Sequence, residues 1–305
     1  MTSSIAHSWS LSQLHLLLTL ECQYECDHCF VVSGPGQGMT MDRETIACIL
    51  DQAGDLGTIE WIYFEGGEPF LYYETLLWGV RQAHRRGFRV GIVSNAYWAE
   101  DFPQAMEKLR PFTGLVEDLS ISDDAYHGCG ELPGNTHIAR RAASDLGIPV
   151  DFISVSGPDG SQAACAQSLS DADDGTVRYR GRAADKLAPL VRHQPWDRFD
   201  ACPWEDLRRP ERVHVDSMGN LHICQGLTMG NLLENPLKQI MTDYDPDSHP
   251  VIGPLLRGGP AALVRQYKLG HGKGYADACH LCYLSRRQLR ERFPDCLAPA
   301  QMYGN

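Results

Sequence analysis

Three cysteines near the amino end, Cys22, Cys26 and Cys29, stand in a C-x3-C-x2-C spacing, and no other feature limits the fold as tightly. Thiolates this close along the chain can gather round one metal centre. A [4Fe–4S] cube offers four irons, so three protein thiolates leave one iron without a protein partner. That vacancy suits a small molecule, just as a catalytic metal keeps a position open. A zinc clip or a set of free cysteines shares the spacing, and context separates the readings. The triplet follows the apolar run of residues 14–20, and Glu65-Gly66-Gly67-Glu68-Pro69 follows a second such run.

The first two-thirds of the chain alternates short β-branched or aromatic runs with helical patterns, as parallel β-α units do. Strands are expected at 14–20, 59–64, 89–93, 118–122 and 150–155, with a sixth near 176–180. Helices are expected about Ile46, Ile49, Leu50 and Ala53, over 73–86 ahead of Gly87, over 101–109, and over 135–146 ahead of Gly147 and Pro149. Six units are too few to close an eight-stranded barrel. The expected fold is therefore α/β, a partial (β/α)6 TIM-like barrel. Barrel sites lie at the C-terminal strand ends. The Cys22–Cys29 loop, Gly66 to Pro69, Ser94-Asn95 and Ser122-Asp123-Asp124 all follow strands and should meet on one rim.

From about Ala201 the texture changes. Val213 to Cys224 reads as a β-hairpin turning at Gly219-Asn220, a Pro/Gly/Asp-rich stretch fills 245–260, and short helices follow near 262–268 and 283–293. The expected organisation is a barrel over 1–200 and a small α+β Fe–S lobe over 201–305.

These motifs resemble the radical S-adenosylmethionine (SAM) enzymes, whose hallmark is C-x3-C-x2-C after the first strand and a G-G-E-P-like turn after the second. The resemblance runs over about residues 12–185 and extends more loosely beyond. It implies that SAM chelates the open iron of the Cys22/Cys26/Cys29 cluster and is cleaved to methionine and a 5′-deoxyadenosyl radical. It also implies SAM contacts from the Gly66 and Gly67 backbone, from the Glu68 carboxylate to the methionyl ammonium, and from Ser94, Asn95, Ser122 and Asp124. Tyr179-Arg180-Gly181-Arg182-Ala183 resembles a G-R-A turn, with Arg182 a partner for the SAM carboxylate. One departure is His28, where the family usually has an aromatic residue near the adenine.

Cys202, Cys224, Cys279 and Cys282 form a second set. Gly219-x4-Cys224, with Cys202 upstream and Cys279-x2-Cys282 downstream, resembles the SPASM and twitch extensions, which implies one auxiliary [4Fe–4S] cluster. A zinc held by four cysteines across a hairpin has similar spacing. Cys48 falls on the apolar face of its helix and reads as core. Cys129, Cys165 and Cys296 are candidate hydrogen donors to a substrate radical, with an inert thiol as the other reading of each. The acidic loop of Asp171, Asp173 and Asp174 reads as solvated surface.

A net charge of −12 with no basic block argues against a nucleic-acid partner. No apolar run is long enough to span a bilayer, and no basic region precedes one to make an export signal. Cytoplasm is the expected location, where eleven cysteines point to metal or redox chemistry rather than disulfides. The implied activity is hydrogen abstraction from a natural-product intermediate or a peptide, ending in oxidation, cross-linking or epimerisation. The implied reductant is a flavodoxin or ferredoxin. With few residues ahead of the first strand, a peptide would need a separate delivery protein. The alternative is a non-catalytic two-cluster electron-transfer protein.

Overall fold

The computed structural model describes residues 10–127, 134–157 and 175–304, apart from the Ala125 side chain. Cys129, Cys165 and the 171–174 aspartates lie outside the described residues. Five strands open the fold: β1 (Gln13–Thr19), β2 (Trp61–Gly66), β3 (Arg89–Ser94), β4 (Asp118–Ser122) and β5 (Val150–Ile153). Each pairs in parallel with the one before it. Between them run α1 (Arg43–Leu56), α2 (Tyr73–Arg85), α3 (Phe102–Leu109) and α4 (Asn135–Asp145). Asp42 and Asp101 start α1 and α3 by accepting from Thr45 N at 2.7 Å and Gln104 N at 2.8 Å, which satisfies helix-end donors that otherwise lack partners.

Alternation along the strands turns one row of apolar side chains toward the helices. Leu14, Leu16 and Leu18 join Ile62, Phe64 and the α1 residues Ile46, Ile49 and Leu50 in one core. On the other face Leu17 and the following Leu20 pack with Val31, Ile223, Leu255, Leu263 and Tyr283.

The later elements are α5 (Arg182–Lys186), β6 (Gln194–Pro195), β7 (Arg212–Val215), β8 (Asn220–Cys224), β9 (Leu227–Asn231), α6 (Leu237–Asp243), α7 (Ile252–Tyr267), β10 (Gly274–Tyr275) and α8 (Ala278–Leu289). The expected hairpin is present as β7–β8, and its first strand pairs in parallel with β1, Gln13 beside Arg212 and Leu16 beside Val215. One sheet of order β5-β4-β3-β2-β1-β7-β8-β9 results, and it crosses the expected boundary at residue 200. The sixth parallel strand is thus β7, beside β1. Residues 176–180 form no strand, because their polar groups go elsewhere: Tyr179 N donates to Asp277 Oδ2 at 3.3 Å and Arg180 Nη1 to Cys224 Sγ at 3.1 Å.

Two further expectations change. Cys48 is exposed because it lies about 200° round the helix from Ile46, and Gln52 Nε2 reaches its sulfur at 3.2 Å. The 245–260 stretch is partly helical, since α7 starts at Ile252 and breaks at Gly258 and Gly259. At Gly259 a Cβ would stand 2.3 Å from Ala201 N. No helix among the described residues is long and apolar enough to cross a membrane.

The hairpin turn rests on Asp216, which is fully buried. Its carboxylate accepts from Met218 N, Asn220 N and Asn220 Nδ2 at 2.9, 3.0 and 2.8 Å, and lies 3.1 Å from His222 Nε2. Burial disfavours the charge, yet His222 and Asn220 hold the carboxyl below the ordinary range. Asp216→Ala should cost about 3–5 kcal/mol in urea unfolding at neutral pH. A carboxyl lowered on folding stabilises only above its unfolded pKa. The native advantage over the variant should therefore shrink as pH falls below about 4.

Candidate active site at the cysteine loop

The loop leaving β1 is fixed to the end of β2 by main-chain bonds. Gly67 N donates to Thr19 O at 2.7 Å and Glu68 N to Glu21 O at 2.9 Å. Gly66 has φ +134°, and a Cβ there would stand 2.2 Å from Thr19 O; at Gly67 it would stand 2.0 Å from Glu21 O. The two glycines thus admit the protein's own cysteine loop. Cys22 and Cys26 are buried and Cys29 is partly buried.

Donors point at the sulfurs. Tyr24 N and Asn95 Nδ2 reach Cys22 Sγ at 3.4 and 3.6 Å, and Ser33 N reaches Cys29 Sγ at 3.3 Å. Burial pushes the Cys22 thiol up to about 12, with Glu68, Cys26 and Cys29 adding to the shift against the pull of Tyr24 N–H. N–H donors at the Cys22 and Cys29 sulfurs suit thiolate ligation of a metal cluster.

Glu68 is fully buried and turned inward. Oε1 accepts from Phe70 N at 3.0 Å and Ser94 Oγ at 2.9 Å, and Oε2 accepts from Asn95 N at 2.8 Å. Ser94 Oγ in turn accepts from Ala96 N and Trp98 Nε1. Asn95 Oδ1 accepts from Gln23 Nε2 at 2.8 Å, beside Cys22. The carboxylate therefore joins the ends of β2 and β3 beneath the loop. Burial raises its pKa to about 7 against the pull of those donors.

Ser122 ends β4 half-buried. Asp124 is buried, lies 2.8 Å from His127 Nδ1 and accepts from Tyr126 N at 3.0 Å. His28 Nε2 stands 3.8 Å from Asp124 Oδ2, with its ring against Tyr126. Burial alone would lower the His127 pKa, but Asp124 and the Cys26 thiol raise it to about 10.

Arg182 also serves the loop: Nε donates to Cys26 O at 2.9 Å, Nη2 donates to Ser33 O, and its backbone N donates to Cys29 O at 3.0 Å. Gly181, at φ +59°, lies so close that a Cβ would meet Cys29 O at 2.5 Å. Val32 is held at φ +59° in the same loop, a costly conformation for a β-branched residue.

Cys202, Cys224, Cys279 and Cys282 approach one another electrostatically. Cys279 and Cys282 sit on the first two turns of α8, which Asp277 caps by accepting from His280 N at 2.7 Å. Burial raises both thiols, Cys282 to about 12. Arg180 reaches Cys224, and Arg286, buried one turn after Cys282, donates to Gln225 O at 2.6 Å. Burial opposes the Arg286 charge, yet the Tyr303 hydroxyl and the thiols of Cys282, Cys224 and Cys279 sustain it. No three cysteine sulfurs among the described residues lie within 4.8 Å of one another, whereas a tetrahedral zinc holds thiolates about 3.8 Å apart. Cys296 packs at the edge of the same apolar cluster, its thiol raised by burial and Asp295.

Sequence reasoning missed Arg180 and Arg286, whose meaning depends on which sulfurs the fold brings to them. It also missed Gln23, although its place inside the cysteine motif was a signal.

Residues 16–127 match the family model for the Radical SAM superfamily. The putative peptide biosynthesis protein YydG of Bacillus subtilis (strain 168) is 31% identical over 113 residues, 36% of this chain and 35% of that protein. BtrN in complex with AdoMet and 2-DOIA superposes with a TM-score of 0.51 at 17% identity, over 77% of this chain and 83% of that one. SuiB of Streptococcus suis, bound to its precursor peptide SuiA, gives 0.51 at 12% identity, over 88% and 76%. The chain spans about a third of the length of the curated relatives it matches. Over residues 16–127 the chain is similar to radical SAM superfamily domains, and its mixed α/β fold with a parallel sheet is consistent with those structural neighbours.

Glu68→Gln should lower stability in the absence of SAM by about 2–4 kcal/mol, because an amide nitrogen would face N–H donors. Thermal unfolding with and without SAM checks this. Native stability combined with weak SAM binding would assign the carboxylate to the ligand instead.

Proposed function

We propose that this protein is a radical SAM enzyme whose Cys22, Cys26 and Cys29 hold a [4Fe–4S] cluster with one iron open to SAM. When bound, the reduced cluster supplies the electron that cleaves SAM to methionine and a 5′-deoxyadenosyl radical, the species that takes a hydrogen atom from substrate. The observation that carries this reading is the C-x3-C-x2-C loop itself, which Gly66, Gly67 and Arg182 hold in place by backbone contacts and in which Cys22 feels Cys26 and Cys29. Asn95 and Ser33 steady the sulfurs, Glu68 and Ser94 brace the rim beneath, and His28, Asp124 and His127 form the neighbouring wall. A non-catalytic electron-transfer protein would leave the fit to a SAM-binding domain unexplained.

We further propose that residues 201–305 supply an auxiliary [4Fe–4S] site from Cys202, Cys224, Cys279 and Cys282. The partly buried Arg180 and the buried Arg286 beside these sulfurs supply charge to match thiolates. The substrate we favour is a peptide, in keeping with the likeness to the B. subtilis peptide biosynthesis protein. A small natural-product intermediate is the second reading, favoured by the extent of the likeness to BtrN.

Anaerobically reconstituted protein should hold about eight irons per chain and release 5′-deoxyadenosine after reduction. Joint alanine replacement of Cys22, Cys26 and Cys29 should leave about four irons and no SAM cleavage. Replacing Cys279 and Cys282 together should stop product formation while SAM cleavage persists, if the auxiliary site takes an electron from the substrate radical. Stoichiometric zinc alongside a single cluster would refute the auxiliary assignment.

Arg286→Met should lower the auxiliary midpoint potential by roughly 60 mV or more, a tenfold change for a one-electron couple. Removing a nearby cation disfavours the more negative, reduced state. An EPR-monitored titration of the folded variant measures it, and an unchanged midpoint would make Arg286 a packing residue only.

A further inference from the structure

The sheet face opposite α1–α4 carries donor atoms that the cysteine chemistry does not use. His15 on β1 stands in register with Tyr63 on β2 and with His214 on β7. Glu65 lies two residues after Tyr63, so it shares that face. His15 Nδ1 is 3.3 Å and His214 Nε2 is 3.0 Å from Glu65 Oε1. All three donor atoms fall within 4.8 Å of one another. The side chains of His15, Glu65 and His214 are only 9%, 13% and 19% exposed.

Despite those distances, the buried Glu65 Oε1 accepts no aligned hydrogen bond among the described residues. The ring nitrogens are close to it but not aimed at it. In the tautomer that donates from Nε2 to Gln13 Oε1, 3.4 Å away, the proton of His15 is on that nitrogen. A neutral His15 then turns the bare lone pair of Nδ1 toward a carboxylate oxygen, an arrangement that calls for a cation between them. With metal–ligand bonds of about 2.1 Å, the two separations correspond to angles of about 90° and about 105° at the ion. Gln13 is the outer partner that a metal-bound imidazole keeps on its second nitrogen. Tyr63, stacked on His15 with centroids 4.5 Å apart and planes 13° from parallel, fixes the ring.

We propose that His15, Glu65 and His214 bind one divalent transition-metal cation of the zinc or ferrous class. Two imidazoles and a carboxylate favour such ions over calcium or magnesium. Three protein ligands leave at least one position for water or for an oxygen- or nitrogen-bearing ligand. The site is independent of the reading of the cysteines.

The test uses the full chain with its iron loaded anaerobically, equilibrated with zinc and then dialysed against metal-free buffer. Zinc and iron per chain are measured, together with zinc K-edge absorption. The expected result is about one retained zinc with a nitrogen and oxygen shell at about 2.0–2.1 Å. Glu65→Gln and His214→Ala should each bind zinc at least about 100-fold more weakly with iron content unchanged. His15→Phe, which keeps the stack on Tyr63 but removes the nitrogen, provides a variant less prone to misfold, and circular dichroism establishes the fold of each. Loss of all zinc from the native protein on dialysis, a sulfur shell at about 2.3 Å, or equal retention by the folded variants would overturn the proposal.

Discussion

The main-chain bonds between Gly66-Gly67-Glu68 and the Thr19–Glu21 backbone govern the geometry of the cysteine loop. They work because neither glycine has a Cβ, so two stretches of backbone can lie in direct contact. One consequence is that β2 positions the first cysteine before any metal is involved. A second is that the Glu68 carboxylate, pulled inward by this contact, meets the end of β3 and turns two neighbouring loops into one braced rim. Hydrogen bonds inside such a buried network are costly to leave half-made, so the rim keeps a single arrangement.

The segment from Tyr179 to Arg182 ties the two cysteine sets together. Arg180 faces Cys224, while Gly181 and Arg182 lie on the Cys29 and Cys26 carbonyls. Residues two apart along an extended chain point opposite ways only when a turn intervenes, and Gly181 at positive φ supplies that turn. The surroundings of the two sets differ: neutral N–H donors serve Cys22 and Cys29, and guanidinium groups serve Cys224 and Cys282.

Much of this was legible in the sequence where the signal is local. The strands β1 to β5 and helices α1 to α4 follow from hydrophobic period, and Gly87 and Gly147 mark helix ends by their own conformational freedom. The cysteine motif and the glycine pair could be read directly, because spacing and the lack of a Cβ are properties of the chain itself. Partnership was harder to read. Residues 176–180 look β-prone, yet no strand edge receives them. Nor does spacing reveal that Glu68 reaches Asn95 N or that Arg182 reaches the Cys26 and Ser33 carbonyls, far away along the chain. His15 and His214 are 199 residues apart in sequence and meet only because β7 docks on β1.

That docking decides what kind of strand β1 is. Flanked by β2 and β7, it is an interior strand, with hydrogen-bonding groups engaged on both sides. A fragment ending near residue 200 would leave one side of β1 bare, with leucines on both faces and no charged residue between Gln13 and Glu21 except His15. Such an edge is a template for another chain's strand. The C-terminal third therefore also keeps the N-terminal two-thirds from pairing with copies of itself along β1.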